Sequence, residues 1–426
     1  MGHLNPFNRS RILLGLFVFS LFVFTLASTS SRTIHKIWQL GTAGYSMWPP
    51  FADLRPILIS CDVYRNSGWN WSWEAIKIHS ETIGIPTYNY PTAWLTLAHL
   101  GLGESDLRWM GSLFCFSFCI CFFLLFRNFP LPHLFGVLGM AISPPVLLAV
   151  ERGNSDLLIF SLVFCCVYLF ANAKSVPGRM IAQICLLLPA ALKLYPIFAV
   201  VTLASDRKRW FIASAILLVS LFGGYALSVR EELRQIRSNT PKTTDIGYGS
   251  QVLSGFLIKK LDADSRNTSQ QSFEAPLRKV INAFPYVGIA VCLAVGLVLG
   301  RQLAKVRSEG VPLDATGNAM FQCGAAIYMG TFLLGNNFAY RLIFLFFCFP
   351  HLYCLVRHSA ELRTITTALL LTMGAAFWLT MVDERMEYRL LGQASHWLIF
   401  AGILGFFARS FFRGLGFASA PAQSKI

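Results

Sequence analysis

Five charged residues stand where charge is expensive, and their types divide into bases and anion binders. Asp53 and Asp62 lie in a polar stretch, 49–91, that is flanked by strongly apolar segments. A carboxylate within hydrogen-bond reach of a hydroxyl can take its proton, so Asp53 and Asp62 are both candidate general bases. Lys193 stands between Pro189 and Pro196 inside an apolar run, Arg152 belongs to the sequence ERGNSD (151–156), and Arg341 opens another apolar run. Ionisable residues at that depth point to function by default. Fixed cations in a water-poor site stabilise the charge that develops on a departing phosphate, which makes Lys193, Arg152 and Arg341 phosphate-binding candidates. Arg55, Tyr90, Glu151, Asn154, Asp156, Tyr195, Asn336, Asn337 and Tyr340 could orient a hydroxyl-rich substrate. Together they suit an anionic, hydroxyl-bearing ligand.

Each residue also has a plainer reading. Asp53 could be a helix cap. Asp62 could be a solvated partner of Arg55, and Glu151, Arg152 and Asp156 could be charges at helix ends. Arg341 could snorkel to an interface. No metal-ligand spacing and no nucleotide-sugar loop is visible, so neither cofactor nor metal is expected.

The elements that must hold these groups are membrane helices. Of the 426 residues 55% are hydrophobic and only 13% charged, with a mean hydropathy of +0.54, whereas soluble domains carry about 25% charged residues. Runs long enough to cross ~30 Å of hydrocarbon recur throughout, and backbone in lipid must bond within its own segment. The fold class expected is all-α: one polytopic bundle over 1–426 with ten to twelve spans, a first external loop at 29–106 and a second at 229–277. Spans are expected at 12–28, 107–126, 134–150, 157–173, 211–228, 278–300, 319–335, 340–356, 364–382 and 392–409. Ser-Pro-Pro at 143–145 should kink the third, and 180–204 should form a broken hairpin.

The net charge of +15 follows from 36 Lys+Arg against 21 Asp+Glu. Basic residues beside span ends place both termini in the cytoplasm, and no soluble basic face exists to take nucleic acid. SDRKRW (205–210), Arg301, Lys305, Arg307, Arg357, Arg363, Arg409, Arg413 and Lys425 then fall inside. The polar patches fall outside: 49–91, 151–156, the Lys193 tip, GYGSQ (247–251), GNNFAYR (335–341) and DERMEYR (383–389). Ten of the eleven cysteines sit in apolar runs and form neither zinc motif nor disulfide framework. Asn70 and Asn267 open glycosylation-acceptor patterns that are common by chance.

In the first loop Leu54, Ile57, Leu58, Cys61 and Tyr64 follow the spacing of an amphipathic helix. Pro56 is tolerable in its first turn. Trp69, Trp71 and Trp73 suit an interfacial belt.

The order Asp53-Leu-Arg, a helix of about fifteen residues to Gly68, then Tyr88-Asn-Tyr90-Pro91, resembles the first external loop of the polyprenyl-phosphate-mannose-dependent glycosyltransferases, glycosyltransferase family 87 within the GT-C class. Arg152-Gly-Asn154 and Lys193-Leu-Tyr195-Pro196 are similar to that group and to the related mannosyltransferase that adds the first mannose to glycosylphosphatidylinositol. The match covers most of the chain in hydropathy and a few short patches in motif. It departs at Gly68-Trp-Asn-Trp, where the family has Asp-Pro-Tyr near the glycine, and in a single proline after Tyr90. The resemblance implies a multi-pass enzyme of a bacterial plasma membrane. It would move a hexose, mannose by analogy, from a polyprenyl-phosphate donor to a lipid or glycan acceptor, with Asp53 as base. The alternative is a transporter or flippase for a lipid-linked or anionic solute, which should show paired, interrupted helices.

Overall fold

The computed structural model describes residues 6–48, 50–84, 87–204, 209–241, 243–265, 271–306, 315–381 and 386–414. Pro49, most of SDRKRW, Asn267, Arg307, the first three residues of DERMEYR and Lys425 lie outside the described residues. The chain is all-α and multi-pass. Among the described residues eight helices are long and apolar enough to cross a membrane, or ten if each of two bent pairs forms one span. The chain divides into two compact units, Met1–Pro241 and Lys242–Ile426.

The first unit opens with the helix Pro6–Ser30. Ser31 then caps a short amphipathic helix, Arg32–Gly41, that buries His35 and Trp38. The expected amphipathic segment forms as Arg55–Asn66, with Pro56 in its first turn. Leu54, Ile57, Leu58 and Cys61 are fully buried on it, as their spacing predicts. Trp73–Ile83 follows, capped by Ser72 and closed by a left-handed Gly84. The spans Leu107–Phe126 and Ser155–Asn172 come next, with Phe118 edge-on to Phe160 at 5.1 Å between them. The Ser-Pro-Pro expectation holds: Leu131–Ala141 and Pro144–Glu151 are bent by 61° across it.

The broken hairpin of two half-length helices expected at 180–204 does not form. Val176–Cys185 and Leu187–Lys193 run on as one span candidate, Val176–Lys193, which ends at a break at Leu194 (φ +54°) and a 3-10 turn at Tyr195–Val200. Lys193 is the last helical residue before that break. Arg209–Ser228 and Arg230–Asn239 form the second bent pair, at 73°.

The second unit carries the helices Val252–Ser265, Gln271–Lys305, Ala315–Leu333, Ala360–Leu379 and Met386–Gly414. The long helices Gln271–Lys305 and Met386–Gly414 approach closely, because a Cβ at Gly300 would meet Ala408 Cβ at 2.7 Å. The described residues of 229–277 are largely helical rather than looped. The expected span 340–356 is present as Ala339–His358, one of the eight; its first ten residues, Ala339–Cys348, are wound as a 3-10 helix that continues into the α-helix Phe349–His358. A two-stranded antiparallel pair, Gly247–Tyr248 with Asn337–Phe338, joins the GYGSQ and GNNFAYR patches.

Candidate functional site

Two backbone bonds dock the start of the first polar stretch onto the ERGNSD turn. Phe51 N–H donates to Glu151 O at 2.8 Å and Asp53 N–H to Arg152 O at 3.1 Å. The Phe51 ring lies against Gly111 and Gly153, where a Cβ would come within 2.3 and 2.7 Å of it. Phe51 itself holds a φ of +66°, a conformation bulky residues keep only where surroundings enforce it. The sequence thereby places Asp53 beside Arg152 and Asn154.

Asp53 is not a helix cap. The Arg55–Asn66 helix has Leu54 at its N-cap position and no side-chain cap. The Asp53 carboxylate turns instead to the ERGNSD turn, accepting from Asn154 Nδ2 at 2.6 Å and from Arg152 Nη1 at 3.4 Å. Arg152 also donates through Nη2 to Tyr45 O at 2.9 Å.

Asn154 faces two ways. Its Oδ1 accepts the Asp156 N–H at 2.9 Å, capping the Ser155–Asn172 helix, and Lys193 Nζ at 3.4 Å. Carboxylate oxygens only accept and ammonium groups only donate, so these partners fix the orientation of the amide. One asparagine thus bridges Asp53 and Lys193, residues 140 positions apart in sequence. Lys193 Nζ also pairs with Asp156 Oδ1 at 2.6 Å, which accepts from Tyr195 OH at 2.7 Å. Tyr90 completes the cluster: its hydroxyl donates to Asp53 O at 3.2 Å, and the Lys193 ammonium lies 5.5 Å from its ring centroid. The Asp156 side chain is wholly buried, whereas Asp53, Arg152 and Lys193 keep 16%, 13% and 10% of theirs exposed. The accessible edge of the cluster therefore shows one carboxylate and two cations.

The structure brings together Asp53, Tyr90, Arg152, Asn154, Asp156, Lys193 and Tyr195, and it leaves other expected residues elsewhere. Asp62 does not pair with Arg55. It binds Arg65, one turn along the same helix, and accepts the Glu104 N–H at 2.7 Å. Arg55 instead meets Glu104 at 2.7 Å. An i, i+3 partner lies on Asp62's own face, and an i−7 partner is two turns away. Glu151 turns away from Asp53, accepting the Met47 N–H at 3.1 Å and lying 3.6 Å from His35 Nε2.

His35 had no signal beyond being one histidine in a short amphipathic run. Burial lowers its pKa below the ordinary imidazole value, so it is neutral at pH 7 and its approach to Glu151 is not an ion pair.

The remaining candidates belong to the second unit. Arg341 donates to Asn337 Oδ1, Asn337 donates to Thr331 O, and Asn336 donates to Thr243 O at 2.9 Å. Tyr340 stacks on Phe338 with centroids 5.1 Å apart. Arg389, from the DERMEYR patch, binds Asp245, and Lys259 lies 3.8 Å from the same carboxylate. Burial raises the Asp245 pKa, but the Arg389 bond and charge outweigh it and hold the group below the usual carboxylate value.

No family model matches the chain, and no curated protein or solved structure matches it.

Proposed function

We propose that this chain is a membrane glycosyltransferase of GT-C type, similar to glycosyltransferase family 87. In this reading a hexose passes from a polyprenyl-phosphate donor to a hydroxyl of a lipid or glycan acceptor. The observation that carries it is the Asn154 bridge, which puts a carboxylate and an ammonium on opposite ends of one amide at the accessible edge of a buried cluster.

Asp53 takes the proton of the attacking hydroxyl. Lys193 and Arg152 stabilise the charge gained by the departing polyprenyl phosphate. Asp156 and Tyr195 hold Lys193, and Asn154 sets the separation of base and cation. One displacement with one base inverts the anomeric carbon. Glu151 supports the backbone, and Asp62 and Arg55 serve the surface of the first polar stretch. With both termini in the cytoplasm of a bacterium, the cluster faces the outer side of the plasma membrane, where such donors are presented.

The two bent helix pairs of the first unit favour one other reading, transport of a lipid-linked or anionic solute. Incubating membranes that contain the chain with a radiolabelled polyprenyl-phosphate hexose separates the two. Enzyme activity gives label on a new lipid or glycan and free polyprenyl phosphate. Transport gives label that changes sides with its donor bond intact.

A further inference from the structure

We infer that Trp69 is the floor of a separate carbohydrate subsite, which takes one pyranose ring of an extended glycan. The inference rests on the glycosyl-transfer reading and names the class of acceptor it favours. Trp69 is 45% exposed, and its sequence neighbours Asn66, Ser67 and Asn70 are exposed and polar, with Gly68 exposed between them. Its φ is +69°, directly after Gly68 at +68°. A bulky L residue in that region is strained, and such strain gathers at sites that use it. The turn enforces it: Trp69 N–H donates to Tyr64 O at 3.1 Å, and Ser67 Oγ lies within 2.8 Å of both Tyr64 O and Asn70 O.

The ring is held as firmly as the backbone. One side stacks flat on His99, with centroids 4.4 Å apart and planes 7° apart, and Tyr64 meets it edge-on at 5.5 Å. The stack covers one face of the ring, while 45% of the residue stays exposed. An aromatic face carries negative quadrupole density, and the C–H-rich side of a pyranose presents weakly positive hydrogens to it. Polar neighbours within hydrogen-bond reach suit the sugar's hydroxyls better than a hydrocarbon chain.

The subsite is tied to the catalytic cluster but not part of it. Tyr64, Trp71, Tyr88 and Tyr90 follow one another at 6.4, 5.4 and 6.0 Å, and Tyr90 bonds the backbone of Asp53. The helix Arg55–Asn66 separates the two places, and twelve residues at about 1.5 Å each give ~18 Å. A ligand that touches both must be several sugar rings long. The acceptor class is therefore an oligosaccharide chain whose growing end meets Asp53 while an inner sugar stacks on Trp69.

The test measures binding of neutral manno- and gluco-oligosaccharides, from monosaccharide to hexasaccharide, to the purified full chain. Long chains should bind about tenfold more tightly than monosaccharides, the size of one good aromatic contact. Trp69→Gly suits the left-handed backbone while removing the ring, and should abolish that gain. Trp69→Phe should keep it. Binding of no oligosaccharide, binding independent of length, or full binding by Trp69→Gly overturns the subsite. So does quenching by bromine-labelled acyl chains of fluorescence that Trp69→Phe removes, because exposed Leu100 beside His99 would then mark a membrane anchor. Length-dependent binding through Trp69 without sugar transfer keeps the subsite and removes the transfer reading. Transfer with an unchanged KM for long acceptors in Trp69→Gly does the reverse.

Discussion

Asn154 and Asn336 carry the same amide and use it differently. Asn336 spends its donor on a backbone carbonyl, Thr243 O, and so fastens one stretch of the second unit to another. Asn154 gives its donor to a carboxylate and its acceptor to an ammonium and a backbone N–H. The first kind of contact makes a fold. The second sets the distance between charged side chains, and nothing about folding requires those charges, since a buried pair is often no more stabilising than apolar residues of similar volume. The same contrast separates Arg341, bonded to an amide four residues back, from Lys193, paired with a wholly buried carboxylate drawn from another helix.

The contrast can be sharpened by substitution. The largest effect on stability should come from Lys193→Met, which leaves Asp156 buried without its cation and should cost ~3–5 kcal/mol. Adding Asp156→Leu should recover most of the loss in thermal unfolding in detergent. If the single variant is as stable as the parent, the pair does not hold the cluster.

Asn154→Ala should cost ~1–3 kcal/mol, because it strands partners at both ends. Asn336→Ala should lie at the low end of that range, since one backbone carbonyl loses one donor. The two variants should differ more in sugar transfer than in stability, and equal losses of transfer would erase the distinction between them.

A smaller effect should follow from His35. Its folded pKa is depressed by burial, so the unfolded chain binds more protons once the pH falls below about 6.5. The stability that neutral His35 contributes is complete above that pH and is lost on acidification through the folded value. Melting curves of wild type and His35→Gln should therefore diverge below pH 6.5, wild type falling faster. Parallel curves would show that His35 titrates as it does in the unfolded chain.

Much of the first unit's cluster was legible because its residues break local rules. A lysine between two prolines in an apolar run and an Arg-Gly-Asn turn between spans are costly where they stand, and cost is visible in sequence. The amphipathic stripe from Leu54 to Cys61 was equally plain. Local pattern could not tell which of several nearby charges Asp62 would choose, since Arg55 and Arg65 lie on the same helix. Nor could it find the pairing of Glu151 with His35, 116 residues away, which forms only through tertiary packing. The strand pair that joins Gly247 to Phe338 is two residues long on each side, too short for any alternation to register. The left-handed Leu194 that ends the Lys193 helix carries no glycine to announce it.

The most direct test of the central claim is transfer from a radiolabelled polyprenyl-phosphate hexose in membranes, wild type beside Asp53→Asn at matched expression. Asparagine keeps the shape of the side chain and removes the base, so the rate should fall by about 10²–10⁴ while the melting curve stays close to the parent's. Transfer at the wild-type rate by Asp53→Asn would contradict the account, because the carboxylate that Asn154 holds would then not be the base.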